Sequence, residues 1–421
     1  MKQGMTRFKN IKLDELYVFL LAFTAFSIPM PMLVNNISII FLIAFWLFLV
    51  FKKKILKPDF KKLFIFIIPY LILLLGGVNT TNYNQLLVEL TKNLPFILYP
   101  LIIFCTPFNL IKSRFQFILK GFIAGNFIIC LLLLVVILKT ILTDGFSIVT
   151  LWGLTHQTLA AHVALNAIYL SLYIAIGLIF LIFYFLQNKE TFSTKLKATY
   201  LIIASLFVVI LIFLSSRTVI LSSGLLIMTI LFQYYLKKES LLKVVFRFVI
   251  VGGMLGVLSI TINPVLKWRV ESLFLNSSFK EEGVQMREKL WKSSYEVFKE
   301  HKLIGVGSGD FKDELIKIYK KNDYRIQYRF EMNSHNQYLS LLVSNGFLGL
   351  LLFLVYLVYP ILNFLKEKRL ELLCVMLLFV LSFITESYLY TNKGVVVISF
   401  FITLMYKYYM DTQLLLKHDK A

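Results

Sequence analysis

The chain reads as an all-α polytopic membrane protein with about 12 transmembrane helices and one large outward-facing loop. Composition is the first ground: 58% of the 421 residues are apolar and only 16% are charged, where a soluble domain runs near a quarter charged. Forty Phe residues and a mean hydropathy of +0.78 exceed what a water-soluble core of this size can hide. Periodicity is the second: apolar runs long enough to cross a bilayer recur from end to end, with helical rather than alternating patterning. Charge placement is the third, and it also sets orientation.

Twelve apolar segments follow one another at approximately 16–34, 37–51, 63–78, 94–105, 116–138, 158–186, 198–214, 218–235, 244–262, 336–359, 371–389 and 394–410. Each is expected to be a helix because a helix closes its backbone hydrogen bonds internally, as lipid demands. The second and fourth are short for a hydrocarbon core of about 30 Å, so they need tilt or local thinning. The tail 1–15 and alternate connections thereafter hold 26 Lys and Arg, whereas the short connections on the other side hold four: Lys92, Lys139, Arg217 and Lys393. The rule that basic loops stay inside then puts both termini in the cytoplasm and the 72-residue stretch 263–334 outside; a long loop is translocated whatever its charge. The net charge of +21, which in a soluble protein would suggest nucleic acid, is thus largely a topology signal and implies membrane lipids rather than nucleic acid as surroundings. The organisation expected is residues 1–262 as spans one to nine, 263–334 as an outer loop with amphipathic helices, and 335–421 as spans ten to twelve. Within the loop, Glu281 to His301 carries Val284, Leu290, Trp291, Tyr295 and Phe298 at roughly helical spacing, and the loop is too small to fold alone, so it is expected to pack over the mouth of the bundle.

Residues able to do chemistry are sparse. Cys105, Cys130 and Cys374 lie inside apolar runs and read as small core residues. Between residues 16 and 262 the carboxylates are Asp59, Glu89, Asp144, Glu190 and Glu239, read as lying in loops or at span ends; the absence of a mid-membrane carboxylate argues against ion-coupled transport. Arg217, in Ser-Ser-Arg-Thr between two spans, is either a snorkelling interfacial residue or an anion site, since guanidinium matches phosphate with two parallel hydrogen bonds. His335, in Asn-Ser-His-Asn-Gln-Tyr, opens the tenth span. It is either an interfacial histidine or a proton acceptor at a wet helix mouth. On the continuous helix expected there, Gly346 and Gly349 share its face and permit close helix contact. Gly305-Val306-Gly307-Ser308-Gly309 resembles a phosphate cradle but lacks the following Lys-Ser/Thr and reads as a turn. His156 and His162 have no Cys or carboxylate near them in sequence, so no metal site is expected.

Taken together, Leu211 to Ser223 (LIFLSSRTVILSS), Arg287 to Phe311 (REKLWKSSYEVFKEHKLIGVGSGDF) and Ser334 to Leu352 (SHNQYLSLLVSNGFLGLLL) resemble the bacterial O-antigen ligase and O-antigen polymerase superfamily of inner-membrane glycosyltransferases. The shared pattern is an arginine after a span, a large periplasmic loop with Arg-x-x-x-Trp and a Gly-x-Gly turn, then a His-Asn pair opening the next span. The resemblance implies transfer of a glycan from undecaprenyl pyrophosphate to a hydroxyl on the periplasmic face, without metal or other cofactor. The acceptor would be the lipid A–core in the ligase branch, or another lipid-linked repeat in the polymerase branch. It implies further that Arg217 and Arg287 hold the pyrophosphate and that His335 activates the acceptor hydroxyl. Glu386, in Ile-Thr-Glu-Ser-Tyr near the outer end of the eleventh span, is the second candidate for a base or an arginine partner, set against a structural ion pair. The competing class is a lipid-linked glycan flippase or other transporter, which would be expected to show an internal repeat and polar mid-membrane residues; the sequence shows neither.

Overall fold

A computed structural model describes residues 12–57, 59–236 and 284–418, together with 238, 240 and 243. The ninth expected span, 244–262, and the first part of the expected loop lie outside the described residues. Everything described is helical or irregular, with no strand among the described residues. Eight helical stretches among them, counting Tyr83–Phe104 as one, are long and apolar enough to cross a membrane, so the chain is a multi-pass membrane protein. Three further expected spans are shorter helices of 15, 17 and 13 residues: α1 (Leu13–Ser27), α3 (Phe60–Gly76) and α16 (Leu370–Ser382).

Local sequence explains most boundaries. Pro29 and Pro31 separate α1 from α2 (Met32–Phe51), because proline at these positions cannot extend the preceding turn. The fourth expected span, 94–105, is α5 (Pro95–Phe104), opened by Pro95, and it is preceded by α4 (Tyr83–Lys92), a helix outside every expected span. Then come α6 (Lys112–Asp144), the short α7 (Ile148–Gly153) and α8 (His156–Ala161), and α9 (Ala167–Asn188). The expected sixth span therefore begins at 167 rather than 158: Asn166 caps α9 through its side-chain oxygen, and His156 and His162 belong to the preceding turns. α10 (Thr194–Leu214) ends in the left-handed Ser215, and α11 (Arg217–Leu236) starts two residues later. The loop supplies α12 (Val284–Glu300), α13 (Phe311–Lys321) and α14 (Arg325–Arg329), after which α15 (Gln337–Lys366), α16 and α17 (Asn392–His418) complete the chain.

Close packing is built on small residues. At Gly121 and Gly125 of α6 an added Cβ would lie 2.5 Å from the Ala22 carbonyl oxygen and 2.2 Å from that of Phe26, so α1 and α6 touch backbone to backbone. α17 and α9 are the most buried of the long helices. Lys407, placed in the basic cytoplasmic tail by the sequence reading, is instead inside α17, 5% exposed, and bonds Asp411 at 3.0 Å. The second Asp411 oxygen accepts the Leu110 amide at 2.7 Å, so the buried carboxylate is matched on both sides, which a charge at such a place requires.

The loop sits on the bundle through its own small core. Leu290, Val297, Phe311, Leu315 and Tyr319 bury together with Val343 of α15. The glycine-rich segment then enters α15 itself. At Gly346 the helix is broken (φ 62°, ψ −161°), which corrects the continuous helix expected there. In an unbroken helix the amides of Phe347 and Leu348 would bond the carbonyls of Val343 and Ser344. Instead they donate to Lys302 and Leu303 at 2.8 and 3.2 Å, while Val306 and Gly307 donate to Val343 and Ser344, both at 2.9 Å. All four groups freed by the break are satisfied by the loop, the condition under which irregular backbone is tolerated within a membrane bundle. Gly305 faces the break so closely that an added Cβ would lie 2.5 Å from the Asn345 amide nitrogen. The Gly305–Gly309 run is thus a structural turn, whose glycines let the loop approach the backbone of α15 at Gly305 and residues 80 and 82 at Gly307 and Gly309.

Candidate active site

The turn before α15 carries His335, held at φ 42° by the Asn333 side chain, which accepts its amide at 2.9 Å. Asn336 follows and caps α15, accepting the amides of Tyr338 and Leu339 at 3.0 and 3.1 Å. The connection 383–391 between α16 and α17 wraps this helix start. Gln337 donates its amide to the Phe383 carbonyl at 2.8 Å, and its side-chain oxygen accepts the Leu389 amide at 2.9 Å. Ser387 accepts the Asn336 amide at 3.1 Å and bonds the Ser340 hydroxyl at 2.8 Å.

That wrapping brings Glu386 against His335. Glu386 Oε2 lies 3.1 Å from His335 Nδ1, with the carboxylate 5% and the imidazole 32% exposed. The other carboxylate oxygen accepts the Ser387 amide at 3.1 Å. The acid is therefore fixed and dry, while the imidazole is partly open on its far side.

Both candidate arginines adjoin this pair electrostatically. Arg287, on the first turn of α12, is drawn to Glu386; burial pushes its guanidinium below the ordinary value, and Glu386 and Tyr388 oppose that shift. Arg217, the first residue of α11, is close enough to feel the positive charge of Arg287, and the next residue, Thr218, accepts a hydrogen bond from Thr385 at 2.9 Å, tying the start of α11 to the Glu386 segment. Trp291 lies one helical turn beyond Arg287 and packs in the loop core. α12 is anchored to the histidine turn by Ser294, which donates to Ser334 at 2.7 Å.

Four side chains proposed from separate parts of the sequence, Arg217, Arg287, His335 and Glu386, thus meet at one end of the bundle, beside the starts of α11 and α15. Two guanidinium groups and one carboxylate leave an excess of positive charge, augmented by helix N-termini whose dipoles favour anions. Sequence reasoning missed Ser387, Thr385 and Thr218. Each is an ordinary hydroxyl residue whose partner lies far along the chain, so no local pattern marks it. The glycine-rich segment holds no ligand-like geometry, and among the described residues no three His, Cys, Asp or Glu side chains come together as a metal site.

The described residues thus form an all-helical multi-pass membrane protein with a histidine–carboxylate pair and two arginines at one end of the bundle. Residues 201–354 match the family model described as O-antigen ligase, so this segment is similar to the O-antigen ligase and polymerase superfamily. The matched stretch contains Arg217, Arg287, the loop and His335; Glu386 lies beyond it and enters the site only through the fold. No curated protein matches the chain.

Proposed function

We propose that the chain is an O-antigen ligase-type glycosyltransferase that moves a glycan from undecaprenyl pyrophosphate to a hydroxyl of the lipid A–core on the periplasmic face of the bacterial inner membrane. The observation that carries this reading is the His335–Glu386 contact of 3.1 Å beside Arg217 and Arg287, with His335 and both arginines inside the family-matched segment. The 26-to-4 division of basic residues supports cytoplasmic termini and an outward site.

The chemistry follows from the geometry. With Nδ1–H donated to Glu386, Nε2 of His335 is the free base, the arrangement that fixes an imidazole tautomer. The acceptor hydroxyl oxygen attacks the anomeric carbon of the donor sugar while its proton passes to Nε2. The carbon–oxygen bond to the diphosphate breaks, and the electron pair leaves with undecaprenyl diphosphate. Attack in line with the leaving group inverts the anomeric centre. Arg217 and Arg287, which repel one another without an anion, bind the departing diphosphate where its charge grows, and preorganised cations in a partly dry site do this without reorganising. The chain's own groups supply base, orientation and charge, and the reading needs no added cofactor.

Transfer assayed with purified protein and lipid-linked glycan tests this. Arg217→Ala should lower kcat by about 10²–10³ and His335→Ala by about 10²–10⁴, with membrane insertion unchanged; wild-type transfer by either variant removes the role assigned to that residue. Activity that requires a divalent ion and is abolished by EDTA would overturn the cofactor-free reading. In a deletion strain, bare core with polymer stranded on undecaprenol identifies a ligase, whereas core bearing a single repeat identifies the polymerase branch.

A further inference from the structure

Beside the histidine turn lies a second feature that the transfer chemistry does not use, a cavity of about 180 Å³ between α4, the glycine-rich segment and residue 390. Its walls include Glu89, Lys92, Phe311, Lys312, Asn333 and Tyr390. At roughly 30 Å³ per water in the liquid, that is about six waters of space, or one sugar ring. Glu89, which the sequence places in a loop or at a span end, is within α4 and 5% exposed. Its Oε1 accepts from Lys92 at 2.7 Å and from Gln85 at 3.1 Å, while its Oε2 is buried and bonds nothing among the described residues.

A carboxylate oxygen only accepts hydrogen bonds, and leaving one buried and unmet is costly, so the occupant of the cavity must be a donor. The ammonium groups of Lys92 and Lys312 oppose a metal ion or other cation, and the open carboxylate oxygen opposes an anion. What remains is a neutral group rich in hydroxyls. The stacked rings of Phe311 and Tyr390, 4.6 Å apart, add the apolar wall that a sugar presents its C–H face to. The cavity also touches both segments that build the site: Asn333 holds the His335 amide, and the Tyr390 carbonyl accepts from Lys92 at 3.1 Å. We infer that this cavity, with Glu89 Oε2 as its acceptor, binds one sugar ring of a glycan substrate. The inference rests on the glycosyltransferase reading and extends it to a subsite for the glycan rather than the diphosphate.

Saturation-transfer NMR on the purified full-length protein, with methyl glucoside, methyl galactoside and N-acetylglucosamine as probes, tests binding apart from turnover. At least one of these sugars should receive saturation from the wild type and from His335→Ala. The signal should fall about tenfold or more in Glu89→Gln, as loss of one charge-assisted hydrogen bond implies, and likewise in Gln85→Trp, which fills the cavity from its rim should the first variant fold poorly. No signal from any probe, or equal signals from wild type and both variants, would overturn the subsite and leave water as the occupant. In transfer assays Glu89→Gln should raise KM about tenfold for one of the two glycan substrates with little change in kcat. The substrate affected identifies the ring as belonging to donor or acceptor, and a fall in kcat alone would assign Glu89 a structural role. Sugar binding that persists in a protein with no transfer activity would sink the glycosyltransferase reading while sparing the subsite.

Discussion

His335 and Glu386 are 51 positions apart, and no periodicity in the sequence joins them. The motif pattern nominates the histidine, and the glutamate enters as a carboxylate near a span end. Their contact depends on Ser387 and Gln337, whose hydrogen bonds press the 383–391 connection onto the start of α15. Glu386 touches the imidazole rather than any substrate atom, so it acts by positioning. Glu386→Gln keeps the shape and loses the charge; in a triad of similar logic, loss of the carboxylate costs about 10⁴ in kcat through the wrong tautomer. A fall of roughly 10² or more in kcat with the KM of the lipid-linked donor nearly unchanged is expected here. A change confined to KM would show that the carboxylate handles substrate instead. Arg217 stands out as a guanidinium at the edge of an apolar run, read as a snorkelling residue or an anion site, and Arg287 enters only through the family pattern, whereas Thr218 and Thr385 look like any surface threonines.

Among the elements, hydropathy located the apolar helices well and their interruptions poorly. Windowed apolarity finds α5 but passes over α4, whose Asn84, Gln85, Glu89 and Lys92 keep Tyr83–Lys92 from reading as a span. It also misses the opening in α15, since Ser344, Asn345 and Gly346 are only three residues between apolar flanks. The break is dictated by a partner 40 residues upstream in the loop, whose amides and carbonyls replace those of the helix. This makes Gly346 demanding: its φ is positive, and an added Cβ would sit 2.4 Å from the Leu303 carbonyl carbon. Gly346→Ala should destabilise the protein by at least about 2 kcal/mol, combining left-handed strain with overpacking, read as a lower melting temperature in detergent. Gly224→Ala, on α11 with open space around it, should leave the melting temperature unchanged or raise it; equal losses at the two positions would contradict this account of the break.

For the whole molecule, the membrane class was legible from composition alone, and the distribution of Lys and Arg gives an expected orientation that labelling tests. Lys407 shows the limit of that count, since a basic residue written into a tail proves to be a buried ion-pair partner; removing it leaves the asymmetry intact. The three cysteines are all buried, so introduced thiols can report sidedness against little background. Ile326→Cys, on the loop helix α14 where the side chain is 54% exposed, should react with a membrane-impermeant maleimide added outside the cytoplasmic membrane. Leu56→Cys, 48% exposed between α2 and α3, should react only after permeabilisation. The reverse pattern would place the candidate site in the cytosol, where the proposed donor chemistry has no acceptor.

The exchange of partners between Lys302–Gly307 and the opened turn of α15 also constrains how such an enzyme admits its substrates. A segment sewn into a transmembrane helix by four main-chain bonds cannot swing aside during a catalytic cycle without tearing that helix open. On the proposed function, its two lipid-anchored substrates would pass around a stationary seam, and the amides of residues 306, 307, 347 and 348 should be among the last outside the deep core to exchange with deuterium.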